Sequence, residues 1–371
     1  MPVHHATTYA GDPAWRVTGY RTVRRLLADP RLGRTHTDPD HASRYSESMV
    51  FGRALPASPT EHDDHVQLRR LLTPAFSARR MARLRPRVQD LVDGLLDQLT
   101  AQDQPADFHQ AVSFPLPVLV ICELLGVPYH DRDDFRRWSD AAADMTDRQR
   151  SLDGLAALWA YMRDIVARKR REPGPDVLSE LGAASDDGTG RFAPDRAAMI
   201  AAGLLFAGHE TTVAAIDKGV VLLDRHPELA ADPERIAGAV EEILRLPLPV
   251  PVADGPAPGL PRWANADIDV DGTTIPAGDL VVLDLQDANL DPDTFDRPAA
   301  CDPGRTDGTH LTFGHGPHYC IGAPVARLEL QTLFATLPRR LPGLRLAVPV
   351  DELPARTTHL TGGLAALPVR W

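Results

Sequence analysis

The stretch from Asp195 to His226 limits what this chain can become more than any other part of it. It runs 32 residues without a proline, entered after Pro194 and left before Pro227, and proline is the residue that most sharply breaks a helix. As one helix rising about 1.5 Å per residue it would measure nearly 50 Å, the width of a molecule of this size. Its first half, AAMIAAGLLFAG from Ala197 to Gly208, is apolar on every side, which predicts burial rather than one wet face. That apolar run is 12 residues long, short of the roughly 20 needed to cross a bilayer. The pattern predicts a fold wrapped around one long internal helix.

Helical spacing dominates elsewhere too. Arg80–Thr100, Ser151–Arg170, Asp232–Leu246 and Gly322–Leu341 all repeat apolar residues every three or four positions. Strand signals are shorter and sit at the ends and in one late block: AWRVTGY around Trp15, DIDVDGTTIPAGDLVVLDL from Asp267, and the terminal LAALPVRW. Strands do not alternate with helices, so the expected class is mainly α with small accessory β-sheets. At 371 residues, length alone would allow two or three domains. The proline-rich run Leu246–Pro261 reads as chain redirection, and a single domain over 1–371 is expected.

The chemistry concentrates in Phe313-Gly-His-Gly-Pro-His-Tyr-Cys320-Ile-Gly322, which leads directly into a helical segment. Three glycines and a proline make a tight turn that presents one sulfur while backbone approaches closely. A helix beginning after Gly322 would favour the thiolate, and backbone N–H groups aimed at the sulfur would tune a metal bound there. A zinc site from His315, His318 and Cys320 lacks the second ligand pair that zinc usually takes. The three cysteines, Cys122, Cys301 and Cys320, form no disulfide framework, which points to a reducing cytoplasm. Met1 is followed by PVHHATTYAGDPAW, without the apolar segment of a signal peptide.

This ten-residue string resembles the haem-binding loop of the cytochrome P450 family, with Phe313, Gly316, Cys320 and Gly322 in the diagnostic places. The resemblance implies the P450 fold, with haem b (iron protoporphyrin IX) between the long central helix (about 195–226) and the Cys320 loop. It makes Cys320 the proximal metal ligand. A thiolate ligand favours O–O cleavage, where histidine suits reversible O₂ binding or peroxidase work.

Further matches extend from about Ala14 to the C-terminus. Ala207-Gly208-His209-Glu210-Thr211-Thr212 resembles the family's distal helix motif, in which Ala207 and Gly208 leave room beside the haem. There Thr211 would hold the bound oxygen species and Glu210 would supply protons. From the residues alone, Thr211 could equally bond back to a carbonyl of the preceding turn and bend the helix. His65 and Arg69, one turn apart, with Arg262 and His318, match the family's propionate contacts. Glu242-x-x-Arg245 resembles its proximal brace. The family's third brace arginine aligns with Ala300, so Arg297 or Arg305 would have to replace it.

Net charge is −11, which argues against nucleic acid as a partner. Yet from His65 to Gln89 there is no acid and there are seven arginines: Arg69, Arg70, Arg79, Arg80, Arg83, Arg85 and Arg87. Such a run is commonly just a solvated face. Under the resemblance it is a docking patch for an acidic ferredoxin-type electron donor, itself served by an NAD(P)H-dependent reductase. The expected enzyme is a soluble, monomeric monooxygenase acting on a hydrophobic small molecule such as a polyketide or macrolide. Oxidative ring formation or coupling, and peroxygenase chemistry, are alternatives within the same cofactor. Peroxygenase relatives carry Arg-Pro where this chain has Glu210-Thr211. A haem gas sensor or electron carrier is the alternative outside enzymes, and would be expected to carry a histidine or methionine ligand. Pocket walls are expected near Leu204, Leu205 and Ala207, at the turn after Val252, and around Leu360 and Thr361.

Overall fold

The long segment forms a single helix, Pro194–Arg225, with Pro194 opening its first turn. The structure is a computed structural model and describes residues 2–184, 193–229, 233–250, 256 and 258–371; the turn after Val252 lies outside them. The helices in chain order are α1 (Tyr20–Leu27), α2 (Glu61–Leu72), α3 (Ala78–Thr100), α4 (Pro115–Leu125), α5 (Arg132–Ala142), α6 (Arg148–Arg171), α7 (Val177–Ala184), α8 (Pro194–Arg225), α9 (Ile236–Arg245), α10 (Leu285–Asn289) and α11 (Ala323–Arg340). Caps set several of these bounds. Ser77 accepts from Arg80 N–H at the start of α3 and Asp147 from Arg150 N–H at the start of α6. Gly126, at φ 76°, ends α4 in the left-handed region.

Helix α8 is the axis of the main core, packed by α4, α6, α7, α9 and α11. By length and composition it is, among the described residues, the one helix that could cross a membrane. Its apolar surface is instead taken up by these neighbours. The expectation of burial all round is corrected in one respect. Met199, Gly203, Ala207 and Thr211, each four residues apart, are exposed in a stripe down a helix otherwise largely buried. Four-residue spacing puts them on one face.

The predicted strands form a five-stranded sheet in the order Val3–Thr7, Pro13–Val17, Leu280–Leu283, Leu260–Ala264, Leu32–Gly33. The pairing of Pro13–Val17 with Leu280–Leu283 is parallel and joins the two ends of the sequence pattern. In strand Leu260–Ala264, Arg262 alternates with buried Pro261 and Trp263 and so projects from the opposite face. The C-terminal strand Pro368–Arg370 pairs with Arg345–Leu346 and Ala106–Asp107.

Candidate active site

The Cys320 loop is fixed from within and from three helices. Gly314 and Gly316 both stand at φ 73°, and a Cβ on Gly316 would come 2.9 Å from Ala28 Cβ, so glycine is required there. Cys320 N–H donates to Phe313 O at 2.8 Å. Arg69 on α2 donates to Tyr319 O at 2.9 Å. Arg327 on α11 donates to Tyr319 Oη at 3.2 Å, holds Glu241 of α9 through two bonds of 2.7 and 2.8 Å, and lies 4.7 Å over the Phe313 ring. His310 Nε2 stands 3.2 Å from the same carboxylate. Burial raises Glu241, but its bonds to Arg327 and His310 together pull it down to about 2, so it stays ionised and the loop stays clamped.

Cys320 is exposed yet closely surrounded by protein. Burial raises its thiol pKa, opposed by the backbone N–H groups of Gly322 and Ala323 and by the charges of Arg69 and Arg327. The N–H groups expected at the helix start therefore act on the sulfur. In the protein alone they do not outweigh burial. A metal cation would, since it stabilises the thiolate directly.

Near the loop stand three arginines and two imidazoles with no carboxylate in direct contact among the described residues. The His65 and His318 rings stack at 4.1 Å. Arg69, Arg262 and Arg34 act on them electrostatically, and desolvation followed by these charges depresses His318 to about 4. Arg262 is depressed to about 10, by burial first and then by Arg34, and its hydrogen bond goes only to Pro261 O. Among the described residues none of Arg34, Arg69 or Arg262 has a carboxylate within 4.0 Å; Glu61 is the one acid that offsets Arg34 and Arg262 at longer range. Arg34 and Arg262, held against burial, together with Arg69, which acts on the same His318 imidazole, are the complement of a dianion. Arg34 sits on no motif, and sequence reasoning missed it.

On α8 the predicted residues divide. Ala207 and Thr211 lie on the exposed stripe, and the Thr211 hydroxyl donates back to Ala207 O at 2.9 Å. At Gly208 a Cβ would sit 2.9 Å from Ile121 Cδ1, so the lack of a side chain there also lets α8 pack on α4. The open face is Gly203 and Ala207. Leu205 is corrected, being 1% exposed within the core, while Leu204, Leu360 and Thr361 are half-buried. Glu210 is 3% exposed, and burial pushes it up to about 7. His209 beside it is fully buried against Phe114, its pKa pressed down to about 3 by burial, hence neutral. Of the residues grouped closely enough to hold a metal through histidine, cysteine and carboxylate, only Asp140, Glu210 and His359 qualify among the described residues; His315, His318 and Cys320 do not form a zinc set.

The chain matches the Cytochrome P450 family model over residues 236–342. It is 41% identical to pentalenolactone synthase of Streptomyces exfoliatus over 97% of this chain and 91% of that one. It is 40% identical to cytochrome P450 monooxygenase PikC of Streptomyces venezuelae over 100% and 88%. The solved structure of the putative thioether synthase SgvP, involved in the tailoring step of griseoviridin, superposes with a TM-score of 0.90 at 37% identity, covering 100% of this chain and 93% of that one.

The chain belongs to the cytochrome P450 family. It is a haem enzyme of the monooxygenase class, taking electrons from a redox partner and acting on a hydrophobic substrate. The residues fit the cofactor: a cysteine carrying two N–H donors, and beside it unpaired guanidiniums and imidazoles suited to two propionates. The P450 brace is also complete. Arg245 holds Glu242 through bonds of 2.7 and 2.8 Å, both side chains buried. Arg305 adds a third contact to Glu242 at 3.2 Å and binds Ala300 O. Of the two replacements considered for the aligned Ala300, Arg305 is the one used. Arg297 is 70% exposed and pairs with Asp296 and Asp302.

Proposed function

We propose that Cys320 is the proximal iron ligand of this P450 and that the enzyme inserts one oxygen atom into a hydrophobic secondary metabolite. Haem, when bound, supplies the activation of O₂ with two electrons. The chain's own residues do the rest. Gly322 and Ala323 direct N–H groups at the Cys320 sulfur, lowering its basicity and its push on the metal. Phe313, under Arg327, closes one side of the loop. His65, Arg69, Arg262 and His318 bind the propionates, with Arg34 as a further partner. Ala207 and Gly203 present no side chain beyond a methyl on the distal helix face, and Thr211 stands on the same face. Glu210, with a pKa near 7, both holds and releases a proton at neutral pH. The single observation that carries this reading is a cysteine bearing N–H donors beside three arginines without carboxylate partners.

The redox partner is a small acidic ferredoxin-type protein, docking on the arginine-rich face. That face is narrower than the sequence suggests. Arg69 turns inward to Tyr319 and Arg80 donates to Pro175 O, leaving Arg70, Arg79, Arg83, Arg85 and Arg87 exposed. Arg79, Arg83 and Arg87 recur every four residues and share one face of α3. The similar proteins named as a polyene macrolide epoxidase and a mycinamicin hydroxylase support a polyketide- or macrolide-like substrate. A single-domain monomer in the cytoplasm fits three cysteines that form no disulfide.

Oxidative ring formation is the second reading, favoured by the 0.90 TM-score to a putative thioether synthase. Turnover with a ferredoxin and reductase against a panel of such metabolites separates the two. A product heavier by one oxygen supports insertion; one lighter by two hydrogens supports coupling; no product with any compound at full electron supply contradicts both. Thr211→Ala is expected to send more than half of the electrons to peroxide or water instead of product. Unchanged coupling would leave Thr211 only its bond to Ala207 O.

A further inference from the structure

Glu210 is connected to the surface by residues that no P450 motif of this chain contains. Its Oε2 lies 3.4 Å from His359 Nε2 and 3.8 Å from Arg356 Nη1, and its Oε1 lies 3.4 Å from His209 Nδ1. His359 and Arg356 come from the irregular segment before the last strand, and Asp140 from the last turn of α5. Arg356 donates to Asp140 Oδ1 at 2.5 Å, and His359 Nε2 is 3.7 Å from the same oxygen. Exposure grades outward along this set: the side chains of Glu210 and His359 are 3% and 6% exposed, those of Arg356 and Asp140 22% and 32%. The outer end opens on a cleft of about 230 Å³ lined by Asp140, Asp144, Arg150, Arg356, Thr358 and His359.

The segment is held in place. Met145 N–H donates to Thr358 O at 3.0 Å, Leu360 N–H to Ala143 O at 2.9 Å, and Arg356 N–H to Gly363 O at 2.9 Å. His359 Nδ1 is engaged by Thr361 Oγ1 at 2.9 Å, which turns Nε2 toward the two carboxylates. That Nε2 is buried and has no hydrogen-bond partner, a costly arrangement unless it has a use. The three ligand-type atoms are close enough for a cation, but the Arg356 guanidinium already supplies that charge.

We propose that Asp140 and His359 form the entry by which protons from this cleft reach Glu210, with Arg356 as the positioning residue. This rests on the reading that Glu210 supplies protons on the distal side. One proton moves and no electron does. Solvent protonates Asp140, the proton crosses His359 Nε2, and the Glu210 carboxylate, having given its own proton inward, takes it at Oε2. Asp140 returns to a carboxylate open to solvent. His359, depressed to about 3 chiefly by burial, passes the proton on rather than keeping it. The groups facing Glu210 from each packed element are Asp140 and Arg136 of α5, His109 before α4, Arg356 and His359 of the C-terminal segment, and His209 on α8 itself. Arg356 favours the carboxylate form of Glu210 and Asp140 the acid form.

The test uses the haem-loaded protein and a readout independent of turnover: deuterium exchange of the Glu210 carboxylic C=O infrared band, assigned by its loss in Glu210→Gln. Asp140→Asn and His359→Gln should each slow that exchange at least tenfold and enlarge the solvent isotope effect on product formation. Asp140→Glu should restore both. Asp140→Asn should also lower the midpoint of the Glu210 band, and Arg356→Gln raise it. Wild-type exchange and isotope effect in both Asp140→Asn and His359→Gln would overturn the entry path, even with Glu210→Gln impaired. Wild-type coupling in Glu210→Gln would instead overturn the role of Glu210.

Discussion

Glu210 carries a pH dependence whose sign follows from its surroundings. Burial raises it from 4.5 to about 7, so between those values the folded protein holds a proton that the unfolded chain has lost. The stabilisation linked to this group is complete below about pH 4.5 and is lost as pH rises through 7, amounting to roughly 3 kcal/mol. Glu210→Gln should flatten that part of the curve, so wild type loses Tm relative to the variant between pH 5 and 8. Parallel curves would mean Glu210 is ionised throughout. This residue was legible because its acid–alcohol neighbourhood is a contiguous string, as was Cys320. Arg34, Asp140, Arg356 and His359 were not: their partners lie far off in the chain, and nothing beside them in sequence marks the contact. The approach of Gly208 to Ile121 was not legible either, because a string of small residues does not say which of them faces a neighbouring helix.

The brace on α9 shows how an element substitutes for a missing residue. Glu242 is almost fully buried and meets both Arg245 and Arg305, and Phe295 lies 5.2 Å from one guanidinium and 5.9 Å from the other. Removing one partner of a buried ion pair costs about 3–5 kcal/mol, because the other is left unpaired. Arg245→Ala should fall in that range by chemical denaturation, Arg305→Ala somewhat lower at about 1–3 kcal/mol since Arg245 remains, and exposed Arg297→Ala within about 0.5 kcal/mol. A larger loss for Arg297 than for Arg305 would reverse the assignment. Sequence periodicity found α3, α6, α9 and α11 to within a few residues, since apolar residues recur in each every three or four positions, and the long proline-free run marked α8. It passed over α4, whose PLPVLVICELL is apolar throughout and carries no period, and α5, which is short and rich in charge.

For the molecule as a whole, the balance of −11 hides one basic face, and that face makes a kinetic prediction. Arg79→Glu with Arg83→Glu should raise the KM for an acidic ferredoxin at least tenfold at low salt and reduce the dependence of its association rate on ionic strength. Unchanged salt dependence would place the donor elsewhere. The mainly α architecture and the sheet at the chain ends were legible because hydrophobic period separates helix from strand. The exposed stripe inside α8 was not, because composition cannot distinguish a helix packed on every side from one that leaves a line of residues uncovered. That stripe, the Cys320 loop and the unpaired arginines together make the central claim, a haem held by thiolate. The most direct measurement is the difference spectrum of the reduced protein with carbon monoxide. The wild type should give the strongly red-shifted band of a thiolate-ligated haem, and Cys320→Ala should abolish it. A wild-type protein without that band, or its survival in Cys320→Ala, would contradict the claim.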